Sequence, residues 1–239
     1  MTAERFSASV AGRHMACHAS ANLASAIPGW VPPVVDPNKD NAANRGTRMH
    51  ELFAGVMELP LADQKNFLEA LRYVTELRER RRFKVLVEQE ATADWLTTRP
   101  RTTVDLVLYV QDEIHVLDLK TGKIPVDVAW NEQLLYYAVT FAHLAPKAKG
   151  VTMHIVQPWA GQMESWHATT SDLMQFMAMA VSAETDIQKG DVTFGPSDHC
   201  KFCPANPHGR GLKGRPLCPA LMDLYYPAIV DEAAMLADE

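Results

Sequence analysis

Asp105 and Asp118 sit where carboxylates are rare, inside runs that otherwise read as buried strand: Val104-Asp105-Leu106-Val107-Leu108 and Val116-Leu117-Asp118-Leu119. Burying an isolated carboxylate is costly, so a strand keeps one only where something compensates it. Side chains alternate along a strand, which sends Asp118 and Lys120 to the same face. Two strands joined as a hairpin, each with an Asp near one end, bring both acids to one sheet edge. The two carboxylates are hard oxygen ligands for Mg²⁺ or Mn²⁺, and the ammonium converging beside them can orient a water or stabilise charge on phosphorus. A strand-end ion pair is the plainer reading of Asp118-Leu119-Lys120 alone, and the second embedded Asp weighs against it.

The cysteines carry a second chemistry. Cys17 stands near the start and Cys200, Cys203 and Cys218 near the end, with 182 residues free of cysteine between Cys17 and Cys200. A reducing compartment disfavours a disulfide framework, so the split points to a metal or cluster site that joins the two ends. Cys-x-x-Cys with two distant cysteines suits either tetrahedral Zn²⁺ or a [4Fe–4S] cluster.

The elements that must position these groups follow from the pattern. Residues 7–27 read as one helix around Cys17, ended by Ile27-Pro28-Gly29-Trp30-Val31-Pro32-Pro33; residues 28–44 read as a flexible loop. Met49, Leu52, Phe53 and Val56 follow i, i+3, i+4, i+7, an amphipathic helix from Arg45. A further helix is expected over 63–82, ending in the basic cluster Arg78, Arg80, Arg81, Arg82 and Lys84. Strands are expected over 85–88, 102–110 and 114–119, the last two as a hairpin. A helix over 130–144, strands over 151–157 and 163–168, and a helix over 171–188 complete an α/β architecture: a central mixed sheet flanked by helices, with an N-terminal helix and a Cys-rich C-terminal segment.

Composition bounds the rest. The 239 residues carry 23 Lys+Arg against 29 Asp+Glu, a net charge of −6, with 47 % hydrophobic and 22 % charged residues. That balance excludes wholesale disorder and indiscriminate coating of nucleic acid, while leaving room for a local basic groove. No run approaches the ~18–20 apolar residues of a membrane span, and the N-terminal residues lack a signal segment, so the expected compartment is the cytoplasm.

Taken in order, these residues resemble the PD-(D/E)XK nuclease superfamily in its RecB-like branch. Asp105 and, after twelve intervening residues, Asp118-Leu119-Lys120-Thr121-Gly122 match its core; Gly46-Thr47-Arg48-Met49-His50 matches its first motif, and Gln133-Leu134-Leu135-Tyr136-Tyr137 its Gln-x-x-x-Tyr motif. The cysteines resemble the four-cysteine iron–sulfur staple of AddB-type and CRISPR-adaptation nucleases and related phage exonucleases. The pattern departs from that branch in using Asp118 where Glu is frequent, and in the fourteen residues between Cys203 and Cys218.

The resemblance implies a restriction-endonuclease-like core forming one nuclease domain over 1–239, with 1–30 and 195–225 together as the cluster-binding subregion. It implies that His50, Asp105, Asp118 and the Leu119 carbonyl hold Mg²⁺ or Mn²⁺. Lys120, Gln133 and Tyr137 then serve the reaction, Glu88 or Glu90 supports the ion's shell, and Cys17, Cys200, Cys203 and Cys218 bind [4Fe–4S], with Zn²⁺ as the alternative. Arg48, Arg81, Arg82, Lys201, Arg210, Lys213 and Arg215 are candidate DNA contacts. The implied function is a metal-dependent DNA nuclease, an exonuclease acting in recombination, repair or processing beside recombination or replication proteins. The competing readings are a catalytically inactive nucleic-acid-binding or assembly subunit of the same fold, and an iron–sulfur electron carrier.

Overall fold

The computed structural model describes residues 6–27, 30, 42–58, 72, 75–76, 83–110, 113–144, 146–206 and 218–225. The expected loop over 28–44 and helix over 63–82, with Arg81 and Arg82, fall almost wholly outside the described residues, as do Arg210, Lys213 and Arg215. The chain divides into two compact units: Asp36–Ala178, and Met1–Val35 together with Met179–Glu239.

The first unit is built on a five-stranded sheet, β1 (Phe83–Thr92), β2 (Arg101–Val110), β3 (Glu113–Leu119), β4 (Gly150–Gln157) and β5 (Gln162–Thr169), in the order β1-β2-β3-β4-β5. Pairing is antiparallel except between β3 and β4, which run parallel. Val110 opposite Glu113 closes the expected hairpin. A parallel pair needs a crossover, and the β3–β4 connection contains the helix Glu132–Phe141.

Two helices, α3 (Ala42–Met57) and α4 (Glu132–Phe141), flank the sheet residues that matter most. Because α3 begins at Ala42, the end of the expected loop is helical. Phe53 and Val56 of α3 pack on Leu106, Leu108, Leu117, Leu119 and Val156, whereas Leu52 is 44 % exposed, so the apolar stripe is narrower than its spacing implied. The side chain of Asn131 caps α4 by accepting from the Leu134 N–H at 3.1 Å, the usual service of a short polar residue there. Helix α4 therefore starts two residues later than the expected 130.

In the second unit the single helix expected over 7–27 is broken into α1 (Ala8–Ala16), a 3-10 turn (His18–Ala21) and α2 (Leu23–Ala26). Cys17 lies at the first break with φ −147° and ψ 97°. The cause is tertiary competition: the Ala19 N–H donates to the Thr193 carbonyl at 3.0 Å, and His18 Nδ1 lies 2.7 Å from Asp191 Oδ2. The helices α5 (Thr170–Gln188), whose last turns belong to this unit, and α6 (Pro219–Tyr225) follow. Its apolar core gathers Leu23, Ile27, Cys203, Ala205, Cys218 and Leu221.

Candidate functional site

The strand register lines up three acids. Val87 pairs with Leu106 and Gln89 with Val104, which sets Glu88 across from Asp105; one step past the Leu106–Leu117 pair, Asp105 faces Asp118. Residues opposite one another in a ladder share a face, so a row of carboxylates crosses β1, β2 and β3. Glu88 holds φ 44°, the left-handed region that residues with a Cβ avoid, and its own rung of the ladder is missing.

Helix α3 brings His50 to this row. Its Nδ1 lies 3.2 Å from Asp105 Oδ1 and 3.9 Å from Glu88 Oε1. His50, Glu88 and Asp105 each offer a ligand atom within 4.8 Å of the others, a grouping able to hold a metal ion. The other Asp105 oxygen, Oδ2, accepts the Leu119 N–H at 2.6 Å, which fixes the carboxylate to the end of β3. Asp118 is 2 % exposed. Its Oδ2 lies 2.8 Å from Lys120 Nζ, an ion pair inside the buried site.

Lys120 begins a relay. Its Nζ donates to Gln133 Oε1 at 2.6 Å, and Gln133 Nε2 donates to the Tyr137 hydroxyl at 3.0 Å, which also bonds Thr102. The i, i+4 spacing of Gln133 and Tyr137 on α4 permits this pair. Trp130, the first residue of the helix expected over 130–144, instead precedes the cap with φ 55° and lies outside α4.

Electrostatics describe a site with surplus negative charge. A hydrogen bond to Asp105, and the charges of Asp105, Asp118 and Glu88, raise the His50 pKa against the opposing effect of burial. Burial, then the Asp105 charge, raises Glu88. Burial likewise pushes Asp118 up, opposed by Lys120 and reinforced by Asp105. Burial raises the Tyr137 hydroxyl and keeps it protonated. Clustered acids of which Glu88 and Asp118 are driven toward protonation fit a divalent cation.

Of the other residues singled out above, Glu90 turns away and pairs with Arg101 at 3.0 Å, both exposed. Arg48 is exposed on α3, and Lys201, in the second unit, pairs with Asp198 at 3.1 Å. Sequence reasoning missed Thr102 and the buried pair Gln157 and Gln162, which brace the loop after Lys120. A glutamine closing the run Ile155-Val156 was the available signal.

In the second unit Cys17, Cys200, Cys203 and Cys218 line one cavity, with Arg13, Leu23 and Phe194 among its walls. Backbone N–H groups serve the sulfurs: Ser197 donates to Cys200 Sγ at 3.4 Å, Ala205 to Cys203, and Ala220 and Leu221 to Cys218. Burial pushes the Cys203 and Cys218 thiols up, and those donors oppose it. Cys203 and Cys218 each precede Pro-Ala, a repeat that sets the same donor geometry and went unread in the sequence. A Cβ on Gly195 would lie 1.8 Å from the Ala16 carbonyl oxygen, so only glycine lets this segment press against the turn holding Cys17. Four thiols thus share one cavity, and three of them receive backbone N–H donors.

Solved structures similar to this chain include the following two. A protein named SSO0001 is 13 % identical with TM-score 0.32, over 67 % of this chain and 77 % of that one. A candidate exonuclease from Eubacterium rectale is 15 % identical with TM-score 0.41, over 80 % and 82 %. A family model described as a protein of unknown function, DUF2800, matches residues 64–235, from ahead of the acidic row to beyond the last cysteine, and the chain belongs to that family.

Proposed function

We propose that this protein is a divalent-metal-dependent DNA nuclease, an exonuclease of the PD-(D/E)XK type acting in DNA recombination, repair or processing. The observation that carries the reading is the row Glu88–Asp105–Asp118 flanked by His50 and Lys120. His50, Glu88 and Asp105 would hold the ion, with Asp118 and the Leu119 carbonyl as further oxygen ligands. An ion bound there supplies hydroxide from water near neutral pH and neutralises charge on a phosphodiester. The chain's own residues do the positioning. Asp105 is fixed by the Leu119 amide. Lys120 is held between Asp118 and Gln133, its ammonium aimed to orient the attacking water and meet negative charge on phosphorus. Tyr137 fixes Gln133 in turn.

The four cysteines would hold a [4Fe–4S] cluster whose role is mechanical: it ties Cys17 to the C-terminal cysteines. The sulfur donor set suits it, and anaerobic purification tests it, since a brown protein absorbing near ~400 nm carries a cluster and a colourless protein with stoichiometric zinc does not. For the reaction, DNA incubated with Mg²⁺ or Mn²⁺ should be degraded and chelator should stop it. Asp118→Ala should reduce cleavage at least ~10³-fold while the protein stays folded. Cleavage by that variant at the wild-type rate removes the mechanism.

A further inference from the structure

We infer that the loop between β3 and α4 is a base-stacking platform, and that the strand it delivers to the carboxylates has unpaired bases. This rests on the nuclease reading above and adds the substrate class.

Both ends of the loop are fixed in the site. It leaves β3 at Lys120 and re-enters helix just before Gln133, the two groups that bond at 2.6 Å. It is braced in between. Gln157 Nε2 donates to the carbonyls of Gly122 at 2.9 Å and Ile124 at 2.8 Å. The Val126 N–H donates to Gln157 Oε1 and Gln162 Oε1, both at 3.2 Å, and Gln162 Nε2 donates to the Val126 carbonyl at 2.8 Å. The two glutamines face one another across β4 and β5 and are 1 % and 9 % exposed.

This braced loop nevertheless presents apolar groups to water. Ile124 is 81 % exposed and Trp130 42 %. Trp130 adopts φ 55°, a conformation unfavourable to any residue with a Cβ, and stands ring to ring with Trp166, centroids 5.7 Å apart at 38°. Strain of this kind persists where the surroundings enforce it and concentrates at ligand clamps.

An exposed indole on a rigid backbone, with an apolar neighbour in Ile124, suits stacking by any base, whatever its sequence. Phosphates have cations within the same elements: Lys123 is exposed beside Ile124, and Arg48 is exposed on α3. Helix α3 runs close enough to the loop that a Cβ on Gly46 would lie 3.4 Å from Thr121 Oγ1. Bases inside a duplex already stack on one another and cannot take the platform, so the strand it serves is single or frayed.

The test uses the full chain in chelator, where binding is separated from cleavage, with a labelled oligothymidine and a blunt hairpin of equal length. Fluorescence anisotropy should show the oligothymidine bound at least about tenfold more tightly, with tryptophan emission quenched. Trp130→Ala and Trp130→Gly should each weaken it about tenfold, and Trp130→Phe should keep most of the affinity. Glycine is at ease at φ 55°, so normal melting of Trp130→Gly with lost affinity separates stacking from folding. Unchanged affinity in the Ala and Gly variants, or hairpin binding as tight as oligothymidine, overturns the inference. Added Mn²⁺ distinguishes it from the reading beneath: cleavage without strand preference overturns the platform alone. Oligothymidine affinity lost on Trp130 substitution, with no cleavage in any metal, supports the platform and overturns the nuclease.

Discussion

At the scale of single residues, Glu88 and Glu90 separate two roles that the sequence left joined. Both sit on β1 at alternate positions and both read as possible supports for an ion. The backbone at Glu88 is left-handed; Glu88 meets His50 and Glu90 meets Arg101. A φ of that kind cannot be read from residue types, because glutamate has no preference for it. Asp105, Asp118 and Lys120 were legible because carboxylates within an apolar strand need a reason. The relay through Gln133 was legible only as a resemblance. Glu88→Gln should weaken Mn²⁺ binding by about 10–100-fold in calorimetry, while Glu90→Gln leaves it unchanged. Equal effects of the two would assign the triad no part in holding the ion.

The elements show where the pattern sufficed and where tertiary partners overrode it. All five strands stand near their expected places; β2, β3 and β4 do so because apolar, β-branched runs encode burial on a central sheet, whereas β1 and β5 are its edges. The helix around Cys17 breaks because Thr193 and Asp191 lie far along the chain, where no local window sees them. Strand β4 also buries a histidine, His154, which is 1 % exposed and stacks on His115 with Nε2 3.0 Å from that ring's Nδ1. Burial, helped by His115, pushes its pKa down to about 3. The unfolded chain therefore takes up a proton that the folded chain refuses. Stability from this group is whole above pH ~6.5 and falls as pH drops toward 3, by up to about 1.4 kcal/mol per unit. Melting temperature followed from pH 7 to 4 should fall more steeply for the natural chain than for His154→Leu. Parallel curves would show the group to be inconsequential.

At the scale of the molecule, the two ends of the chain build one unit and its middle builds the other. Among the described residues no helix is long and apolar enough to cross a membrane. Cys17→Ser should bleach a cluster and lower the melting temperature. A cross-link closing a loop this long contributes on the order of 5 kcal/mol in chain-entropy terms. Gly195→Ala should do the same without touching a sulfur, since it forces the segment off the Ala16 carbonyl. Normal colour and melting in both variants would deny the thiols any structural part. The order of synthesis gives this arrangement a temporal cost. Cys17 leaves the ribosome with none of its partners, and at about 5–20 residues per second it waits roughly 10–40 s for Cys200. The sheet can form during that delay, whereas the thiol of Cys17 stays open to oxidants and stray metals until Cys200, Cys203 and Cys218 have emerged.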